Sequence, residues 1–189
     1  MHQHKYNLTL NHKLPPVDLE MYCFIKDRTP EQGGLGKEAH FKNIVNMLWG
    51  PKSNKHFIWH PWAEEMLHWS CRQQYLGVVG CGSSGKTDFF AVWGLVNWLA
   101  SRYKTKVLVT STSLKESKKR IWGSVTEYYN AVKGLPGKLV DSLGQIRSGN
   151  NVEAGSDKSG VELISGEKKK EREAVGKLIG MKNQRMILI

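Results

Sequence analysis

Cysteine is scarce in this chain, and the residues present show no paired spacing. Only three cysteines occur among 189 residues, and Cys23, Cys71 and Cys81 form no CxxC motif. An odd count without such a motif argues against a disulfide framework. The histidines between residues 56 and 68 lie near Cys71, but their spacing matches no known zinc pattern. The cysteine content therefore favours neither a disulfide scaffold nor a zinc domain.

Long hydrophobic runs are also missing from the sequence. No stretch approaches the ~20 apolar residues that a membrane helix needs, and no leader of basic and then apolar residues opens the chain. These absences predict a soluble, intracellular protein with no membrane partner. Hydrophobic residues still make up 40% of the chain. That share is enough to build the core of one domain with a small appendage.

Acidic residues are outnumbered by basic ones. The chain has 17 Asp and Glu against 28 Lys and Arg, which gives a net charge of +11. Such an excess suits a polyanionic partner such as nucleic acid. The alternative is a basic surface that has no partner, because net charge indicates partners only weakly.

The apolar patterns divide the chain into three parts. Residues 1–36 have little periodicity and several prolines and glycines, which predicts a poorly ordered N-terminal arm. Residues 37–74 predict a helical lead-in, with helices over 38–49 and 62–70. Residues 75–189 alternate apolar strands with helices. This alternation predicts an α/β core with a parallel sheet that is covered by helices on both faces.

Within that core, each segment has its own signal. Strands are predicted over 75–79, 106–110, 161–164 and 185–189. Helices are predicted over 88–100, 113–132 and 168–178, and a capping box from Ser113 to Glu116 begins the second of these. Residues 134–159 are rich in glycine, serine and asparagine, so we expect a long connection there.

One segment of the core matches a phosphate-binding signature. Residues 80–87 read GCGSSGKT and satisfy G-x-x-x-x-G-K-[ST] at every position. Lys86 would neutralise the β- and γ-phosphates of ATP as the catalytic residue, and the Thr87 hydroxyl would hold Mg²⁺. The residues assigned to the nucleotide are Gly80, Cys81, Gly82, Ser83, Ser84, Gly85, Lys86 and Thr87. The alternative is a glycine-rich turn that ends in Lys-Thr by chance.

The likeness to known proteins extends beyond this loop. The segments GCGSSGKTDFFAVWGLVNWLA and TKVLVTSTSLKESKKRIWG resemble the ATPase domain of phage terminase large subunits, the DNA-packaging motors. The resemblance covers about residues 38–189 and includes the lead-in HPWAEEML. It implies a RecA-like P-loop NTPase fold and ATP hydrolysis that drives double-stranded DNA into a procapsid. It further implies a homo-oligomeric ring on a capsid portal, with a small terminase subunit, in the host cytoplasm.

The resemblance also implies roles for particular residues. An aromatic-glutamine pair contacts adenine in that family, and Trp62 and Ala63 occupy the matching positions, so the glutamine is missing. Gln73 and Gln74 are possible substitutes. The strand RMILI resembles the one that leads to the Walker B Asp-Glu pair, and the chain stops at Ile189. We therefore expect an N-terminal fragment that lacks those acids and the nuclease domain.

Two groups of basic residues stand out in the core. The helix predicted after the second strand carries Lys115, Lys118, Lys119 and Arg120. These would contact DNA phosphates or a neighbouring subunit, or they would form a solvated helix face. The other group, Arg102, Lys104 and Lys106, precedes the second strand. We expect solvated charges there, at the end of the sheet opposite the nucleotide.

Other functions compatible with a phosphate loop remain open at this point. A helicase-like translocase has a related core. A nucleotide-dependent binding module would keep Lys86 and show no turnover. A small-molecule kinase would need a substrate lid and an acceptor site, and the sequence shows no sign of either.

Overall fold

The computed structural model describes residues 17–111, 121–149, 159–165 and 185–189. The chain divides into two compact units, Met1–Ser84 with Ala131–Leu135, and Gly85–Asn130 with Pro136–Ile189. We call them the helical unit and the sheet unit. The boundary between them lies inside the phosphate-loop signature, later in the chain than the change of pattern at residue 75. The basic cluster within residues 115–120 and the helix predicted over 168–178 lie outside the described residues.

The helical unit contains three α-helices. They are α1 (Val17–Lys26), α2 (Lys37–Trp49) and α3 (Pro61–Arg72), with a short 3-10 turn at Pro30–Gln32. The helices predicted over 38–49 and 62–70 are confirmed as α2 and α3. Helix α2 buries Phe41, Ile44 and Val45 completely, because these residues recur on one face at helical spacing.

The prediction of a poorly ordered arm is wrong for residues 17–36, because α1 forms there. Val17, Met21 and Phe24 recur at intervals of four and three residues and are buried. The Phe24 and Phe41 rings pack with centroids 5.7 Å apart. This apolar stripe stabilises α1 against α2, and the prolines and glycines nearby do not prevent it.

The sheet unit is a mixed α/β structure, as the alternation of strands and helices predicts in its coarse form. Its elements are α4 (Lys86–Ala100), β1 (Thr105–Ser111), α5 (Gly123–Ala131), β2 (Lys138–Val140), β3 (Gln145–Arg147), β4 (Gly160–Ser165) and β5 (Arg185–Leu188). The strand order is β2-β3-β4-β1-β5. Strands β4, β1 and β5 are parallel, whereas β3 is antiparallel to both β2 and β4. The expectation of an all-parallel sheet is therefore wrong.

The connection predicted over 134–159 contains part of this sheet. Strands β2 and β3 form a hairpin around a 3-10 turn at Asp141–Leu143, which Gly144 ends with a φ of +63°. Strands of three residues are too short to show an alternating pattern, so the turn residues around them dominate the sequence signal.

Helix α4 and strand β1 form the core of the sheet unit. Helix α4 buries nine of its residues, including Phe89, Leu95 and Trp98. A side chain at Gly94 would lie 3.2 Å from Val107 on β1, so glycine allows a close approach of helix and strand. This packing fixes the direction of α4 over the sheet.

The segment before the phosphate loop differs from its prediction. Tyr75–Val79 belongs to none of the described helices or strands, and the side chains of Tyr75 and Val79 are 86% and 102% exposed. An apolar, β-branched run predicts a strand from local preference alone, whereas a strand forms only where a partner strand pairs with it. Strand β5 lies at one edge of the described strands.

Candidate nucleotide site

The last two residues of the phosphate-loop signature, Lys86 and Thr87, are the first two residues of α4. The helix begins at Lys86, and the Phe89 N–H donates to the Gly85 carbonyl at 2.9 Å. The first-turn amides of an α-helix point outward along its axis, where the helix dipole is positive. Gly85 precedes them without a side chain that could compete for these amides. The start of α4 is therefore built to face an anion.

Two residues just before α4, Ser83 and Gly85, have the left-handed backbone conformation. Ser83 has a φ of +59° and Gly85 a φ of +77°. Glycine adopts this conformation readily, whereas for serine it costs about 1–2 kcal/mol. Backbone of this kind in a turn can direct successive N–H groups into one concavity. The strain at Ser83 lies where the signature requires an unusual backbone path.

The signature is also open to a ligand. Cys81, Gly82 and Thr87 are exposed, and Lys86 is half-buried at the start of its helix. A side chain at Gly82 would meet no atom within 4 Å. A polyphosphate could therefore approach the backbone closely.

Two acidic side chains and a tyrosine lie near the start of α4. None of the three was predicted from the sequence as a site residue. Asp88 occupies the first turn of α4, next to Thr87. Burial raises the pKa of Tyr128, and the carboxylates of Asp88 and Glu127 raise it further. The Tyr128 hydroxyl therefore stays protonated and can donate a hydrogen bond. No sequence signal connects these three residues, because Tyr128 and Glu127 come from α5.

Trp62, predicted to lie on the adenine side, belongs to the helical unit. It is the second residue of α3, is 47% exposed, and stacks on His60 with ring centroids 4.9 Å apart. Its exposure shows that it is not a core residue. Ala63 beside it is buried, and Gln73 follows α3 in an exposed position. The contact of Trp62 with adenine stays a prediction.

The described residues contain neither a metal-ligand cluster nor a membrane-spanning helix. Within the described ranges, no group of three His, Cys, Asp or Glu side chains could hold a metal ion. Burial raises the pKa of Cys71 to about 12, so this thiol is protonated at neutral pH. No described helix combines the length and apolarity needed to cross a membrane.

Comparisons with family models, curated proteins and solved structures each give no match. The resemblance to terminase large subunits therefore stays a prediction that depends on the segments quoted above. The described residues themselves show a mixed α/β unit whose first helix begins inside the phosphate-loop signature.

Proposed function

We propose that this chain binds ATP with Mg²⁺ through residues 80–87 and serves as the ATPase module of a DNA-packaging motor of the terminase type. One observation supports the nucleotide part above all others. In a signature that is complete at every position, α4 begins at Lys86, directly after a left-handed Gly85.

Each part of the signature has a task in this proposal. The amides at the start of α4 bind phosphate oxygens, and the helix dipole favours their negative charge. Lys86 neutralises charge on the β- and γ-phosphates, while the Thr87 hydroxyl holds Mg²⁺. The metal ion, when bound, offsets the charge that develops on the phosphates during hydrolysis. Positioning and electrostatics therefore account for this chain's contribution to the reaction.

The packaging role depends on the resemblance and on charge. A motor that moves along any genome should grip the phosphate backbone without reading bases. The net charge of +11 suits such a polyanion.

Titration with a fluorescent ATP analogue in the presence of Mg²⁺ tests the nucleotide part. Lys86→Ala removes a charge from the phosphate site and should weaken binding by about 2–3 kcal/mol, roughly 30- to 150-fold. Lys104→Ala is the matched control, because Lys104 is an exposed lysine just beyond the opposite end of α4. This control should bind as the wild type does. Equal affinities of the two variants would refute the assignment of Lys86.

Competition with unlabelled nucleotides tests which part of the ligand is bound. If the phosphates supply most of the affinity, ATP should displace the analogue far better than AMP does. Thr87→Ala should reduce the gain in affinity that Mg²⁺ gives. AMP competing as well as ATP would place the binding energy on the base and contradict a phosphate site.

A further inference from the structure

Positive charge in the sheet unit gathers at one end of the sheet. The register aligns Lys138 on β2 with Arg147 on β3, and Arg147 with Gly160 at the start of β4. The turn that joins α4 to β1 adds Arg102 and Lys104 at this end, where the parallel strands begin. We call Arg102, Lys104, Lys138 and Arg147 the basic band.

Hydrogen bonds hold the backbone of this band in place. The buried Ser148 hydroxyl donates to the Arg102 carbonyl at 2.8 Å and accepts from the Trp98 indole N–H at 2.9 Å. The Arg185 N–H donates to the Lys104 carbonyl at 3.0 Å. These contacts connect the turn to α4, β3 and β5. The charges are thus presented on a fixed frame, which lowers the entropy cost of binding a ligand.

The side chains of the band are accessible to solvent. Lys104 and Lys138 are exposed, and Arg102 and Arg147 are partly exposed. The Arg102 guanidinium lies 4.5 Å from the centroid of the Tyr103 ring, which is itself 59% exposed. The expectation of a solvated charge is wrong for Lys106, because this lysine is buried and bonded to Glu162 at 2.6 Å, so it is left out of the band.

Three of the four acidic side chains described in this unit, Asp88, Glu127 and Asp141, lie away from this end of the sheet, and the fourth, Glu162, lies two residues into β4. Glu162 is bonded to Lys106, and Asp141 follows β2 at the opposite end from Lys138. Asp88 and Glu127 both act on Tyr128. Helix α4 has 15 residues and is therefore ~22 Å long, with the phosphate loop at one end and Arg102 beyond the other. The band is thus separate from the nucleotide signature.

We propose that the basic band binds the phosphate backbone of nucleic acid without regard to sequence. Neighbouring strands are ~4.8 Å apart, so Lys138 and Arg147 lie side by side on β2 and β3, and the turn before β1 adds Arg102 and Lys104 at the same end of the sheet. Arginine forks can bind phosphate oxygens in pairs, and each phosphate neutralised releases counterions. This inference deepens the proposed function by assigning its DNA contact, but it is tested without nucleotide.

Fluorescence anisotropy with a labelled DNA duplex of arbitrary sequence tests the proposal. The band variant is Arg102→Gln/Lys104→Gln/Lys138→Gln. The matched control, Lys26→Gln/Lys52→Gln/Lys133→Gln, removes the same charge from exposed lysines of the helical unit. The band variant should bind at least about tenfold more weakly at low salt, and its salt slope should fall by about 0.9 for each phosphate that is no longer neutralised. An equal weakening in the two variants would overturn the proposal.

Two further measurements test whether the loss of duplex binding is due to charge and whether the band prefers nucleic acid. The variant Lys104→Arg/Lys138→Arg keeps the charge of the band and should retain duplex binding. Vesicles that contain anionic lipid serve as a second polyanion, and binding of vesicles but not of duplex would overturn the nucleic-acid assignment. The ATP titration is repeated on the band variant, where ATP affinity should be unchanged. If Lys86→Ala loses ATP binding but still binds the duplex, the DNA contact and the nucleotide site are independent, and each proposal can fail without the other.

Discussion

The two units use their charges in opposite ways. Residues 17–84 and 131–135 of the helical unit carry eight basic and seven acidic residues, whereas residues 85–130 and 136–189 of the sheet unit carry 18 basic and ten acidic ones. In the helical unit the charges pair with one another, as Lys42 does with Glu64 and Arg72 with Glu38. In the sheet unit a surplus of positive charge remains. The difference shows that charges in the helical unit balance and pair within its own surface, whereas the sheet unit carries an excess of positive charge.

Each unit nevertheless contains a buried pair of ionisable side chains among its described residues. In the helical unit, His40 Nδ1 lies 2.7 Å from Glu20, and the Leu35 N–H donates to His40 Nε2 at 2.9 Å. Both ring nitrogens are thus satisfied if the proton is on Nδ1. In the sheet unit, Lys106 bonds to Glu162, which also accepts from Gln145 at 3.2 Å. Burial makes either pair costly to break from one side only.

The largest effect is expected from breaking the buried pair of the sheet unit. Glu162→Leu leaves the Lys106 ammonium buried without its carboxylate and should lower the free energy of unfolding by about 3–5 kcal/mol. The double variant Lys106→Met/Glu162→Leu removes both charges and should recover most of that stability. Denaturant unfolding measures both. A double variant as unstable as the single one would show that the destabilisation comes from packing and not from the buried charge.

The next effect concerns the turn before β2. Gly137 has a φ of +95°, and a side chain there would lie 2.5 Å from the Arg147 carbonyl oxygen and 2.9 Å from the Trp98 ring. Gly137→Ala should therefore destabilise the protein by more than about 2 kcal/mol, since backbone strain and overlap add. Gly134 has a φ of +83° with open space around it. Gly134→Ala should therefore destabilise the protein only by the backbone strain of its positive φ, about 1 kcal/mol. Equal melting temperatures for the two variants would argue against the close contact at Gly137.

The smallest effect is expected at an exposed pair of the helical unit. Lys42 lies 2.7 Å from Glu64 and also sits over the Trp59 ring, 5.4 Å from its centroid. Lys42→Gln should cost only about 0.2–1 kcal/mol because water screens the pair, and the cost should shrink as salt rises. A destabilisation as large as that of Glu162→Leu would remove the distinction between the paired surface of one unit and the buried pair of the other.

Contiguous features could be predicted from the sequence, and features assembled from distant segments could not. Helices α2 to α4 and strands β1, β4 and β5 follow from apolar periodicity, which survives in a single sequence. The run before the loop, Tyr75–Val79, has the composition of a strand but no partner among the described strands. The signature over residues 80–87 is readable because its residues are adjacent. The basic band could not be predicted from the sequence, because only the register of β2, β3 and β4 brings Lys138 and Arg147 to the same end of the sheet as Arg102.

We propose that backbone amides around the start of α4 bind a triphosphate. Hydrogen exchange of the segment 75–90, measured by mass spectrometry with and without Mg²⁺-ATP, tests it most directly. We expect slower exchange over residues 82–88 in the wild type when ATP is present, because bound phosphate oxygens would accept hydrogen bonds from these amides. Under the same conditions AMP should have little effect, and Lys86→Ala should show little protection. Unchanged exchange over this segment at a saturating concentration of ATP would contradict the claim.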